Sequence, residues 1–374
     1  MNDGSGAAAL GDAADRLILD EAAGLLGGAP PGTVVVIDDV DGALTVGALR
    51  AGARTVRVHQ DLITGERSLA ERAGSAGDTA LLTSPEFTSL PLGRELLDGA
   101  RVVLLRLPRS LDRLAEVAQL IAAHSAPEVR VVAGGRIKHM SVTMNDVLRE
   151  VFERVDVSHA RQKSRVLTAS GPHSERSREL LTQWPHTRRH GDLGTGDAGL
   201  TVAAHGGVFA GTGIDIGTRF LLAHLDQAPS VGHAVDLACG SGVIAAWLAL
   251  RDKQIRVDAC DRSAAAVRSA RATAEANGVG DRVTVHRADG LEQFPDGSQA
   301  LILLNPPFHD DAAVTTHIAR TLFDDAARAL APGGRLWCVW NSHLRYRSAL
   351  ERHVGPTAQI ARNAKFTVTA STRA

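Results

Sequence analysis

Asn305-Pro306-Pro307-Phe308-His309 follows directly on the apolar run Leu301-Ile302-Leu303-Leu304. A buried strand that ends in a side-chain amide, two prolines and an aromatic ring presents a fixed edge, because neither proline has an N–H to donate and both have φ set by their rings. Such an edge suits an amine attached to an aromatic ring. That amine is a weak nucleophile, since its lone pair is delocalised into the ring. Accepting its two hydrogens at the Asn305 side-chain oxygen and the Pro306 carbonyl would localise the pair while Phe308 stacks on the ring. This is positioning and electrostatics, with no general base. A strand ending in a Pro-Pro turn with one buried Phe explains the tetrad alone as well, so the elements around it must decide.

Upstream, Val235-Asp236-Leu237-Ala238-Cys239-Gly240-Ser241-Gly242 has the pattern of a strand entering a glycine turn, and Val243 to Leu250 that of the helix after it. Glycines there let the backbone approach a ligand at the carboxyl ends of parallel strands. The next strand, Ile255 to Cys260, ends at Asp261 and Arg262, about twenty residues past the loop, where a carboxylate would take the two hydroxyls of a ribose. One unit further, Val283 to His286 leads to Asp289 and Gly290, placed to meet an adenine amino group. The strand after that carries Asn305. Four consecutive strands thus end in residues with a chemical use, and chance placement becomes a poor explanation.

This order resembles the class I S-adenosylmethionine-dependent methyltransferases, in which an Asn-Pro-Pro-aromatic tetrad marks enzymes that methylate an amino group. Val208 to Phe220, Asn305 to His309, Asn341 to Tyr346 and Asn363 to Phe366 further resemble the ribosomal RNA guanine-N2 methyltransferases of the RlmG and RsmC type, the large-subunit RlmG branch being the nearer. The match covers most of the chain and departs from the family at Ala210-Gly211, where Ser-Arg is usual. The resemblance implies S-adenosyl-L-methionine as cofactor and the N2 of a guanine in ribosomal RNA, 23S before 16S, as acceptor. It implies that Phe209 and Thr212 sit in a loop closing over the methionine end of the cofactor. Asp236, Ala238, Cys239, Gly240, Gly242, Asp261, Arg262, Asp289, Gly290 and Asn305 would bind the cofactor, and Asn305, Pro306, Pro307 and Phe308 would form the catalytic edge. Methylation of a protein glutamine or of adenine N6 stays open, as does an RNA-binding assembly factor without turnover.

The chain has 374 residues, 44% of them hydrophobic, enough for two globular domains with cores of their own. No apolar run is long enough to span a bilayer, and the first residues lack the basic-then-apolar order of a signal peptide, so a cytoplasmic protein is expected. Cys239, Cys260 and Cys338 lack metal-ligand spacing and are expected as small hydrophobes in or beside core strands. Four histidines, His173, His186, His190 and His205, have no zinc-like spacing with cysteine, so no metal is expected. A net charge of −1 does not advertise a nucleic-acid binder, so positive charge would have to be concentrated locally. A monomer is the expected state.

The two halves repeat. Val36 to Gly42 falls where Val235 to Gly242 should be, Leu104-Leu105-Arg106-Leu107-Pro108-Arg109 matches Leu303 to Phe308, and Ala160 to Ser170 parallels Ala361 to Ser371. The expected fold is α/β: two tandem Rossmann-like methyltransferase domains, doubly wound sheets with helices on both faces, the first copy degenerate. The expected limits are a disordered 1–12, a degenerate domain 13–170, a linker 171–200 and a catalytic domain 201–374. In the first copy the glycine turn has become Asp38, Asp39 and Asp41, and arginine stands at both catalytic positions. Arg106 and Arg109, with Arg130, Arg136, Lys138, His139, Arg161, Lys163 and Arg165, are candidates for an RNA-facing patch.

Overall fold

The computed structural model describes residues 11–39, 41–74, 87–191, 193–195, 199–307 and 312–374. It falls into two compact units, Met1–Trp184 and Pro185–Ala374. In the first, strands β1 (Val34–Ile37), β2 (Val56–His59), β3 (Phe87–Ser89), β4 (Val102–Arg106), β5 (Arg130–Arg136), β6 (Phe152–Val157) and β7 (Ser164–Pro172) form one sheet in the order β3-β2-β1-β4-β5-β7-β6. The strands from β3 to β5 are parallel, and β7 runs antiparallel to both β5 and β6. The runs Val34–Ile37 and Val102–Leu105 are buried throughout because helices cover both faces. Val35, Ile37, Val103 and Leu105 pack with α4 (Arg94–Leu97), α5 (Leu111–His124) and α6 (Thr143–Arg149), whereas Val34, Val36, Val102 and Leu104 pack with α1 (Ala13–Leu26), α2 (Ala43–Arg50) and α3 (Ile63–Gly74).

The second unit repeats this plan. Strand β8 (His186–His190) pairs with β9 (Leu200–Ala204) as a small antiparallel ribbon. The main sheet comprises β10 (His233–Leu237), β11 (Arg256–Asp261), β12 (Val283–Arg287), β13 (Gln299–Leu304), β14 (Leu330–Asn341), β15 (Thr357–Arg362) and β16 (Phe366–Thr372), in the order β12-β11-β10-β13-β14-β16-β15. Strand for strand this is the order of the first sheet, so the expected duplication and the doubly wound fold are both present. Helices α8 (Ile216–Leu222), α9 (Val243–Arg251) and α10 (Ala264–Ala276) cover one face, and α11 (Ala312–Ala329) and α12 (Arg347–His353) the other.

Several local expectations change. The expected linker 171–200 holds helix α7 (Ser174–Leu181), against α5, and strand β8, and the units divide between Trp184 and Pro185. Trp184 anchors that end by donating from its indole N–H to Gln119. Asp12, placed in a disordered start, is the N-cap of α1: its carboxylate accepts from Ala14 N and Asp15 N in a full capping box. Residues 1–10 and the strand expected at Ala80 to Thr83 lie outside the described residues. Cys260 and Cys338 are buried core residues as expected, and Cys239 is half-buried.

Candidate active site

The glycine turn sits where β10 ends. Ala238 (φ 57°), Gly240 (φ 53°) and Gly242 (φ 75°) are all left-handed, a conformation that glycine reaches without the clash a side chain brings. A Cβ on Gly240 would meet nothing within 4 Å, so the loop presents bare backbone to open space. A Cβ on Gly242 would come within 2.8 Å of the Ala270 Cβ, so this glycine lets α9 start close against α10. Asp261, at the end of β11, fixes the loop: its Oδ2 accepts from Gly240 N at 3.0 Å and its Oδ1 from Ser263 N at 2.9 Å. Arg262 follows Asp261, half-buried, and Cys239 lies in the turn with Sγ 3.8 Å from the Gly240 carbonyl. Asp236 is fully buried beneath the turn. It accepts from Ala245 N at 3.0 Å, its other oxygen is buried with no partner among the described residues, and burial pushes its carboxyl up to about 7.

Asp289 lies exposed past β12, as an adenine contact would require, its backbone N–H held by Glu292 at 3.2 Å. Gly290 (φ 64°) turns against the Asp325 carboxylate, which accepts from Leu291 N and pairs with Arg328 at 2.8 Å. That glycine is required by local packing. An open glycine backbone, a carboxylate beside it at the next strand end and an exposed carboxylate at the third fit a nucleoside cofactor.

Asn305 follows β13, next to the turn, because β13 pairs with β10 through Leu304 and Leu237. Its amide nitrogen donates to Asp215 Oδ2 at 3.1 Å and to Thr218 Oγ1 at 2.9 Å. Its amide oxygen is buried with no partner among the described residues. Leaving such an oxygen unpaired costs about 1–3 kcal/mol, a cost that an incoming N–H would remove. Pro306 and Pro307 follow, the first buried and the second half-buried. Phe308, expected to stack on the acceptor, lies outside the described residues, as does His309.

The lead-in loop Val208 to Asp215 carries Phe209, a residue 59% exposed. Ala210 (φ 62°) and Gly211 (φ 54°) are both left-handed, and glycine at the second position suits that backbone. Thr212 is held from a direction the sequence did not reveal. Arg219 donates to His190 Nδ1 at 3.2 Å, so the ring proton sits on Nε2, which donates to the Thr212 carbonyl at 2.8 Å. His190 belongs to β8, inside the expected linker. Only its position among polar residues was visible beforehand. Tyr346, the last residue of the resembling segment Asn341 to Tyr346, is 4% exposed and packs edge-on against Phe323 in the core.

In the first unit the matching turn keeps its backbone shape, with Asp38 (φ 59°) and Gly42 (φ 73°) left-handed, but its side chains turn to one another. Buried Arg113 reaches from α5 to Asp38 at 3.2 Å and Asp61 at 3.9 Å, and Gln60, at the strand-end position of Asp261, donates to the Asp39 carbonyl. The Asp38 and Asp61 carboxylates are thus engaged within the unit. Arg106, expected to face RNA, is held by Asp12 and Asp15 at 2.6 Å each, so its charge is neutralised internally. The other expected cations do not gather into a single cluster. Arg130 begins β5 and Arg136 ends it, about 20 Å apart, and Arg161 pairs with Asp20 at 3.0 Å. Arg109, Arg136, Lys138 and His139 do meet, around a cavity of about 450 Å³ that Arg106 also lines. Partial burial and the neighbouring cations Arg109, Lys138 and Arg136 hold the His139 imidazole below its usual pKa.

Comparison with known proteins gives two family matches, the Methyltransferase small domain over residues 199–370 and the RLMG N-terminal domain over residues 9–173. The chain is 36% identical over 340 residues to a Streptomyces coelicolor protein named ribosomal RNA large subunit methyltransferase G, covering 90% of this chain and 87% of that one. It is 34% identical to a protein of the same name from Stutzerimonas stutzeri, covering 97% of this chain and 93% of that one. Among solved structures, the T. thermophilus 16S rRNA N2 G1207 methyltransferase RsmC, in complex with AdoMet and guanosine, matches with a TM-score of 0.74. At 20% identity over 99% of this chain and 94% of that one, this likeness concerns the fold.

Proposed function

Because the chain belongs to the ribosomal RNA large subunit methyltransferase G family, we propose that its second unit methylates the exocyclic N2 of a guanine in 23S ribosomal RNA. S-adenosylmethionine supplies a methyl group on a cationic sulfur that is its own leaving group, so the chain needs to align donor and acceptor and supplies no base. Gly240 and Asp261 would hold the cofactor, with Asp236, Ala238, Cys239, Gly242, Arg262, Asp289 and Gly290 around them and Phe209 and Thr212 in the loop over it. Asn305 accepts a hydrogen from the guanine N2 at its amide oxygen and the Pro306 carbonyl accepts the other, which returns lone-pair density to the nitrogen. The proton leaves to water after transfer. The guanine must leave its stack to reach this edge, where Phe308 would cover it.

The observation that carries this reading is Asn305: both amide hydrogens are engaged, by Asp215 and Thr218, and the amide oxygen has no partner among the described residues, which leaves it to accept from an amine. The cavity lined by Arg109, Arg136, Lys138 and His139 supports a phosphate-binding role for the first unit. A monomer in the cytoplasm, with no metal in any step, completes the proposal. The test is transfer of a labelled methyl group to separated large- and small-subunit RNAs from cells lacking the gene, followed by nucleoside analysis. N2-methylguanosine in large-subunit RNA is the expected product. Label in small-subunit RNA would move the substrate to 16S, and label in neither would sink the RNA reading.

A further inference from the structure

The two units hold the equivalent residue at the end of their fourth strand in sheet order in the same way. In the second, Asn305 is gripped by Asp215, the N-cap of α8, and by Thr218, three residues on. In the first, Arg106 is gripped by Asp12, the N-cap of α1, and by Asp15, three residues on. In both, the capping carboxylate also accepts the backbone N–H of that third residue, at 3.1 Å from Thr218 and at 3.2 Å from Asp15. The grip therefore belongs to the duplicated domain. Its chemistry differs between copies in a coupled way: where the held group is an amide the third position is a hydroxyl, and where it is a guanidinium the third position is a second carboxylate.

We infer that Asp215 and Thr218 are positioning residues that set which way the Asn305 amide faces, an inference that rests on the acceptor role proposed for Asn305. An asparagine amide is nearly symmetric in shape, so packing alone would not distinguish its oxygen from its nitrogen. The Asp215 carboxylate does distinguish them, because it can only accept: a flipped amide would bring oxygen against oxygen. Thr218 Oγ1 takes the second hydrogen, so the oxygen is left to face the acceptor. Gly217 makes the close fit possible. A Cβ there would lie 2.9 Å from Asp215 Oδ2 and 3.0 Å from the Phe366 ring, so any larger residue would push the carboxylate off the amide.

The test measures single-turnover methyl transfer and cofactor affinity on the full-length chain with ribosomal RNA. Thr218→Val, which keeps the shape and removes the acceptor oxygen, is expected to slow transfer about tenfold to a hundredfold with cofactor Kd unchanged. Thr218→Ala should give the same loss, and Thr218→Ser should restore the rate. Asp215→Asn, whose own amide can turn either way, should slow transfer similarly. In an Asn305→Ala background Thr218→Val should add nothing, since its effect passes through the missing amide. Wild-type rates in Thr218→Val and Asp215→Asn, or losses that multiply in the double variant, would overturn the inference while leaving Asn305 in its role. If Asn305→Ala itself transfers at the normal rate, the acceptor reading falls and the inference falls with it.

Discussion

In the proposed reaction Asn305 meets the acceptor and Asp261 the cofactor, so their removal should separate rate from affinity. Asn305→Ala is expected to lower turnover roughly a hundredfold or more with cofactor binding nearly intact, whereas Asp261→Ala, which also frees Gly240, should weaken cofactor binding first. Titration calorimetry beside single-turnover rates distinguishes the two. Asp236 predicts a pH effect. Its folded pKa of about 7 lies above the unfolded carboxylate value, so its contribution to stability declines as pH rises through that range. Asp236→Asn keeps an acceptor for Ala245 N and does not ionise. Its thermal midpoint relative to the parent should be higher at pH 8 than at pH 5, and a difference independent of pH would refute the assignment. At this scale the sequence was legible where one residue type has one use: an amide before two prolines, or glycines in a turn. Asp215, Thr218 and His190 were not legible as partners, because Asp215 and Thr218 reach Asn305 across some ninety positions and His190 acts through the orientation of a ring.

The alternation of strands and helices and the duplication were readable from the apolar runs and from the internal repeat, since central strands buried on both faces leave little choice of residue. Pairing between elements was not. Arg106 looked like a cation for RNA because its two carboxylates lie more than ninety positions away, on the first turn of α1. The structure makes it a tie between β4 and α1, 20% exposed. Arg106→Ala should therefore destabilise the first unit by about 1–3 kcal/mol, by leaving two carboxylates together without a counter-charge. The Arg106 guanidinium holds the Asp12 carboxyl well below the usual range, so this stabilisation is present at neutral pH and is lost in acid. The deficit of the variant should accordingly shrink as pH falls, which denaturant titrations at pH 7 and pH 3 would measure. The segment 171–200 was misread for a related reason: its polar composition matches a linker, yet α7 packs against α5 and β8 pairs with β9, with Trp184 donating to Gln119 and His190 to Thr212, partners that local composition does not reveal.

Over the whole molecule the net charge of −1 conceals a local excess of cations at Arg109, Arg136 and Lys138. If these meet phosphate, Arg109→Glu with Lys138→Glu should weaken RNA binding at low salt and make log K fall less steeply with log salt, by about one to two in slope. Filter binding between 50 and 300 mM salt would show it, and an unchanged slope would remove the cavity from the RNA interface. The paired grips on Arg106 and Asn305 also bear on how the two copies diverged. Restoring asparagine at Arg106 alone would leave Asp12 and Asp15 with no cation between them, and restoring a hydroxyl at Asp15 alone would strip the guanidinium of one of its two carboxylates. Each single reversion passes through a less stable protein. The held group and its third-position partner are thus tied to one another: stability alone requires the two to change together.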